Sequence, residues 1–353
     1  MTQAQRVQDM KTSVSLGMSA PPRSPYDLLT VSSLTTQFTT PHGTAAVVNG
    51  VDLAVKRGEI VGIVGESGCG KSVTIRSILG LVRDPGRVVD GSAIFDGRDL
   101  LSMTASELRG TRGNRIGFIA QNPFSALNPI LRIRKQFHNI LAAHDKPAAK
   151  HSLDRARKAL IAVGIAGPDR VLNGYAHELS GGMAQRVVIA MAMLLDPSLV
   201  IADEPTTGLD LTVQRQILDL IRNLVREHNR SMVLVTHDLG VIAQYCDRVV
   251  VMYAGKVVEE GTVRDVMKSP AHPYTLALIR AIPQPGKPLV HLGGRLPSLI
   301  DYPPGCPFAA RCADAFDPCL GTIPPRQRTL NGTATFSCHL KDGATAYHAS
   351  VGA

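Results

Sequence analysis

Apolar and polar positions alternate through the first stretch of the chain that has a clear period. From Leu28 to Arg57 the runs LLTVSSLTTQF and VVNGVDLAVKRG, separated by the Pro41-His42-Gly43 turn, predict antiparallel strands. Glu59 to Val64 reads as a buried strand, followed by a glycine-rich loop and a helix through Leu79. Ser152 to Val163 and Gly182 to Leu195 carry a helical pattern, and the polar stretch between them reads as an insertion into the core domain. Buried strands are predicted at Leu199 to Ala202 and Met232 to Val235, and a hairpin from Arg248 to Glu260 turning at Ala254-Gly255. After Pro270 the prolines at 283, 285, 288, 297, 303, 304, 307, 318, 324 and 325 argue against long helices and central strands. The pattern therefore divides the chain into a mobile tail over 1–27, a large α/β domain over 28–270 and a small irregular module over 271–353.

Length and composition narrow the picture. The 353 residues accommodate one substantial α/β unit plus an appendage, and not two such units. The most apolar stretch, Val187 to Leu195, is about half of the roughly 20 residues a spanning helix needs, so the chain is not expected to cross a membrane. The N-terminal tail lacks the continuous apolar core of a secretion signal. A net charge of +9 would suit an anionic partner, but the basic residues are scattered and aromatic residues are few. No nucleic-acid partner is expected. Of six cysteines, Cys69 and Cys246 stand alone, whereas Cys306, Cys312, Cys319 and Cys338 cluster near the C-terminus. In a reducing compartment such a cluster suggests metal before disulfides.

Chemistry is concentrated in two motifs. Gly65, Glu66, Ser67, Gly68, Cys69, Gly70, Lys71 and Ser72 spell GESGCGKS, the Walker A pattern, with Val73 opening the helix behind it. Its glycines let backbone N–H groups wrap phosphates, Lys71 is expected on the β and γ phosphates, and Ser72 on Mg²⁺. Leu199 to Glu204 reads LVIADE, a buried strand that ends in two carboxylates at the edge where α/β folds bind ligands. Asp203 is expected to hold Mg²⁺ and Glu204 to polarise the attacking water. Alone, two acids after a strand are more often a solvated strand end; the Walker A motif in the same chain reverses that.

With these motifs the sequence resembles an ABC transporter ATPase over about Leu28 to Pro270. LSGGMAQ at Leu179 to Gln185 resembles the ABC signature, Gln121 in FIAQNP the Q-loop glutamine, Thr207 to Asp210 the D-loop, and His237 in VLVTHD the switch histidine. The resemblance implies a P-loop NTPase fold of the ABC type: a mixed-sheet core, an antiparallel N-terminal β subdomain and a helical signature subdomain. It further implies ATP sandwiched between the Walker A motif of one subunit and Ser180, Gly181 and Gly182 of another. Catalysis falls to Glu204, His237 and Gln121, the last also touching Mg²⁺, with Asp210 at the nucleotide site. Such ATPases stack adenine on an aromatic residue of the N-terminal strands; Phe38 is available for that role, or for the core, with His42 in the following turn. Cys69 and Cys246 read as a small loop side chain and core.

QNPFSALNP, HPYTLALIRAIP and PPGCPFAARC resemble the dipeptide and oligopeptide branch of ABC importers. That resemblance implies a peptide cargo, two membrane permeases, an extracytoplasmic peptide-binding protein and a second, different ATPase subunit, Met183 being typical of the D-type subunit. It places the chain peripherally on the cytoplasmic face of the membrane. Nickel importers are the near alternative; an ABC ATPase acting on nucleic acid, as in DNA repair, is the alternative of another class. The spacing C-x5-C-x6-C-x18-C matches no common zinc or ferredoxin pattern, so the residues alone say only that four thiolates could close on a metal, with four unrelated buried thiols as the bland alternative. The resemblance implies instead a 4Fe–4S cluster, with zinc as second choice.

Overall fold

A computed structural model describes residues 27–283, 286 and 292–340. The tail expected over 1–27 lies outside these residues except for Asp27, which opens the first strand. Strands β1 (Asp27–Thr40), β2 (Gly43–Lys56), β4 (Gly86–Phe95) and β5 (Arg98–Asp99) form an antiparallel sheet in the order β2-β1-β4-β5. The second sheet contains β3 (Ile60–Val64), β6 (Ile116–Ile119), β7 (Leu199–Asp203), β8 (Ser231–Thr236), β9 (Arg248–Tyr253), β10 (Lys256–Thr262), β11 (Arg326–Arg328) and β12 (Ala334–Ser337). Its order is β11-β12-β10-β9-β3-β8-β7-β6, parallel from β9 to β6 and antiparallel beyond β9.

The period-2 alternation of the parallel strands explains how the two halves of the domain attach. Ile60, Val200, Ala202 and Leu234 face a helical layer that includes Phe137, Leu141, Leu160, Leu172 and Val187. Val61, Ile63, Leu199, Ile201, Val233 and Val235 face the opposite way, onto Ile75 and Ile78 of the helix Lys71–Ile78 and onto Leu29, Val31 and Val55 of the antiparallel sheet. Every one of these side chains is buried, and full burial of a Val, Leu, Ile or Phe among them stabilises by about 1.5–3 kcal/mol relative to exposure.

The stretch between the helices Ser152–Ala162 and Gly181–Met193, expected as an insertion into the core domain, packs against that core. It holds the helix Pro168–Asn173, whose Val171 and Leu172 are buried in the same core as Val200. The C-terminal residues likewise join the main body: β12 hydrogen-bonds to β10, and Phe308, Cys306 and Cys319 share a core with Val249, Val251 and Tyr253. Among the described residues no helix is long and apolar enough to cross a membrane.

Candidate active site

The phosphate loop bridges the end of β3 and the helix Lys71–Ile78. Gly70, which precedes the helix, has φ 105°, and a Cβ there would lie 2.5 Å from the Val47 carbonyl oxygen, so only glycine fits. Lys71 is buried, and its ammonium donates to the carbonyls of Gly65 (2.7 Å) and Glu66 (3.1 Å). Ser72 Oγ donates to Asp203 Oδ1 at 2.8 Å. This joins the two Walker motifs directly and puts two oxygen ligands of the kind a hard divalent cation takes side by side. Burial pushes the Asp203 carboxyl above its ordinary pKa, partly offset by the Ser72 hydrogen bond.

One residue on, the chain turns sharply. Glu204 has φ 46°, a left-handed conformation rare for a glutamate, and its N–H donates to the Val235 carbonyl of β8 at 2.9 Å. The turn brings its carboxylate among three expected or neighbouring groups. Oε2 accepts from Gln121 Nε2 (3.0 Å) and from Thr207 Oγ1 (3.1 Å), and Oε1 lies 3.6 Å from His237 Nδ1. Glu204, Gln121 and His237, far apart in sequence, are thus one cluster beside the Ser72–Asp203 pair. A carboxylate so held, next to an imidazole and a phosphate loop, can orient a water for in-line attack on a terminal phosphate.

Phe38 and Val73 line a common open cavity of about 700 Å³ with Arg76, Gln121 and Asp203. The Phe38 ring lies against Gly86, where a Cβ would come within 2.5 Å of it. Phe38 is thus not part of the sealed core. His42 is exposed in the turn between β1 and β2. Cys69 turns its side chain into the core, where burial pushes the thiol pKa up; it contributes packing and backbone to the loop. Cys246 packs against Gly62, and burial pushes its thiol up as well.

The signature residues lie elsewhere. Ser180 caps the helix Gly181–Met193, its Oγ accepting from the Met183 N–H at 3.4 Å, while Gly181 and Gly182 back onto Leu209 and Val213. Asp210 caps the helix Leu211–Glu227, accepting from the N–H groups of Thr212 and Val213. A cavity of about 720 Å³ flanks this region at Leu179, Met183 and Arg186.

The four C-terminal cysteines do come together. Cys306, Cys312, Cys319 and Cys338 line one small cavity of about 10 Å³, with His272, His339 and Asp314. All four are free thiols. Among the described residues, however, no group of three or more His, Cys, Asp or Glu side chains is spaced to hold a metal ion, so the expected metal centre is not formed as a ligand set here. Burial first, then the neighbouring thiols and at Cys312 the Asp314 carboxylate ahead of them, push the thiols of Cys306, Cys312 and Cys338 up to about 11, which favours protonated sulfur in a space of about one water.

Sequence reasoning missed three residues that touch the loop or the cluster. Thr207 carries no signal of its own beyond opening the D-loop stretch. Tyr274, whose hydroxyl accepts the Glu66 N–H at 2.9 Å, and Arg311, whose guanidinium grips the Glu66 carboxylate, lie inside segments whose only sequence signal is the family resemblance. No local pattern marks either one.

Comparison with known proteins agrees with this geometry. The ABC transporter family profile matches residues 48–207, and the profile described as oligopeptide/dipeptide transporter, C-terminal region, matches residues 258–319. The dipeptide transport ATP-binding protein DppD of Bacillus subtilis is 44% identical over 319 residues, covering 89% of this chain and 95% of that protein. The oligopeptide transport ATP-binding protein OppD of Salmonella typhimurium is 43% identical over 300 residues, covering 84% and 89%. Among solved structures, the dimeric post-hydrolysis state of an ATP-binding cassette bound to ADP and Pi superposes with a TM-score of 0.60 at 28% identity, covering 67% of this chain and 99% of that one. A phosphate loop tied to its acidic strand, a carboxylate clustered with glutamine and histidine, and relatives this similar over nearly their whole length agree: the chain belongs to the ATP-binding proteins of ABC transporters, in the dipeptide and oligopeptide branch.

Proposed function

We propose that this chain hydrolyses ATP to drive import of di- or oligopeptides through a membrane transporter, working peripherally from the cytoplasmic face. The observation that carries the reading is the Glu204 carboxylate, bonded to Gln121 and Thr207 and facing His237, one residue beyond the Ser72–Asp203 pair. Gly65 to Val73 cradle the phosphates, Lys71 meets the β and γ phosphates, and Phe38 with Val73 borders the base. Ser72, Asp203 and Gln121 would hold Mg²⁺, which supplies neutralisation of charge on the phosphate oxygens. Glu204 orients the water, and His237 steadies it against the γ-phosphate. Ser180, Gly181 and Gly182 serve the nucleotide of a neighbouring cassette, with Asp210 fixing the start of the helix beside them. That neighbour is a second, different ATPase subunit, and the pair sits on two permeases fed by an extracytoplasmic peptide-binding protein.

The assay is peptide-stimulated ATP hydrolysis and peptide uptake with the permeases reconstituted in vesicles. Glu204→Gln is expected to lower the turnover rate by about 10²–10⁴ while ATP binding persists. Hydrolysis indifferent to this substitution would sink the mechanism, uptake of nickel in place of peptide would move the cargo to the nickel branch, and stimulation by DNA alone would point to the repair class.

For the C-terminal segment we infer a 4Fe–4S cluster, with zinc second, held by Cys306, Cys312, Cys319 and Cys338. What supports it is the donor chemistry alone: four soft thiols line one small space, although they are not spaced as a metal-ligand set here. Iron, sulfide and zinc analysis of anaerobically purified chain is expected to give about four irons and a shoulder near ~400 nm that is lost in Cys319→Ser. Metal-free, colourless protein would remove the cluster and leave the ATPase reading standing.

A further inference from the structure

We propose that Arg311 is a positioning residue of the phosphate loop: it neutralises and fixes Glu66, and through Glu66 it sets the seat of Lys71 and hence the affinity for ATP. The proposal rests on reading residues 65–72 as the ATP site. Glu66 is held at all three of its polar groups. Its carboxylate receives the Arg311 fork, Nη1 to Oε2 at 2.7 Å and Nη2 to Oε1 at 2.9 Å. Its N–H donates to Tyr274 Oη at 2.9 Å, and its carbonyl accepts the Lys71 ammonium at 3.1 Å.

Arg311 is itself fully committed. Besides the two bonds to Glu66, Nε donates to the Gly293 carbonyl (2.7 Å), Nη2 to the Leu292 carbonyl (3.2 Å) and Nη1 to Tyr253 Oη (3.2 Å). A guanidinium has five N–H donors, and each has an acceptor here. The side chain is only 5% exposed and lies over the rings of Tyr253 and Phe308, at 5.6 and 5.9 Å from their centroids. A lysine could match neither the fork nor the stacking. The C-terminal segment has a second anchor: Tyr302 Oη donates to the Ala254 carbonyl (2.8 Å), and the next residue, Gly255, donates its N–H to the Cys69 carbonyl inside the loop (2.8 Å).

The physical need is electrostatic. A loop that binds a polyanion through backbone N–H groups carries a carboxylate at its second position, and an unpaired carboxylate there would repel the phosphates. Paired with Arg311 in a sheltered site, it becomes a handle that fixes the loop. The C-terminal segment thereby becomes part of the nucleotide site, with Cys312 next in sequence to the residue that grips the loop.

The test is the dissociation constant for a fluorescent ATP analogue, measured on the full-length chain, for Arg311→Ala, Glu66→Gln and the double variant. Arg311→Ala is expected to weaken binding about tenfold, Glu66→Gln to weaken it by less, since it loses the fork but leaves no lone carboxylate in the loop, and the double variant to recover part of the Arg311→Ala loss because the lone carboxylate is gone. A purely packing role for Arg311 gives no such recovery, so a loss that Glu66→Gln fails to relieve, or no loss at all, overturns the proposal. If Arg311→Ala does not fold, Arg311→Lys, which keeps the charge without the fork, is expected to weaken binding in a salt-dependent way; wild-type affinity there overturns it. Lys71→Ala separates the two readings: if it binds the analogue as the wild type does, the ATP-site assignment fails first.

Discussion

Glu204 and Glu259 show two ways a carboxylate is held against its preference. At Glu204 the left-handed φ of 46° costs of the order of 1–3 kcal/mol, and the Val235 carbonyl with Gln121 and Thr207 keeps the residue there. Glu259 on β10 is buried instead, accepting the N–H groups of Ala271 and His272 at 2.7 and 2.9 Å. Burial outweighs those two donors and raises its pKa from 4.5 to about 7. The folded state therefore holds a proton that the unfolded chain has lost between those values, and Glu259 makes stability fall as pH rises through that window. His272 has the opposite sign. Burial lowers it from 6.5 to about 3, with Nδ1 accepting the Tyr274 N–H, so it makes stability rise with pH between those values. The two slopes oppose each other where the windows overlap. Glu259→Gln removes one, and urea unfolding across the overlap is expected to give a difference from wild type that grows by ~1 kcal/mol per pH unit in the direction of greater stability at higher pH. Parallel curves for the two proteins would refute the buried, protonated Glu259.

At the scale of elements, what was legible in the sequence was whatever carries its own local signal. The β3–loop–helix unit, β7 with its two acids, β8, and the hairpin of β9 and β10 all combine an apolar run with a turn or a glycine cluster, and the structure has them within a residue or two. The antiparallel start was equally readable from its alternation. What escaped lacks such a signal. β6 is four residues, IGFI, too short to show a period, and β4 exposes much of GRVVDGSAIF because it joins the smaller sheet. The helix Ile133–His144 buries Ile133, Gln136, Phe137 and Leu141 but opens on basic residues that hide its stripe. β11 follows directly on Pro324 and Pro325, and it and β12 are too short to show a period; they form because β10 offers an edge to pair with, which is a tertiary cause. The site divides the same way. Lys71, Ser72, Asp203, Glu204 and His237 sit in contiguous motifs, whereas Tyr274 and Arg311 reach Glu66 across 208 and 245 residues, a pairing no local pattern encodes. By sequence alone Phe38 suits base or core, and Gly86 decides its surroundings by leaving room for the ring beside the cavity.

For the whole molecule the question is whether the boundary drawn at residue 270 separates two units that fold apart. The contacts across it are apolar, polar and ionic at once. Tyr274 and Phe308 pack with Tyr253 in one aromatic cluster, ring centroids 4.6 to 5.4 Å apart. Backbone joins backbone at β12–β10 and at the Ala46 N–H to the Leu299 carbonyl, 2.8 Å. Arg326 bridges Asp52 of the antiparallel sheet and Glu260 of β10. Removing residues 271–353 would strip cover from Tyr253 and from Val249 and Val251, and would leave the Glu66 carboxylate alone in the phosphate loop. Large apolar groups and a charge uncovered together cost more than a small module's own core returns. The full-length chain is therefore expected to melt in one calorimetric transition with van't Hoff and calorimetric enthalpies equal, and the chain ending at residue 270 to be insoluble or to melt well below it. Two resolved transitions in the full-length protein, the upper one matching a well-folded truncated chain, would instead make the C-terminal segment an independent module, and its hold on the phosphate loop a contact the ATPase can lose.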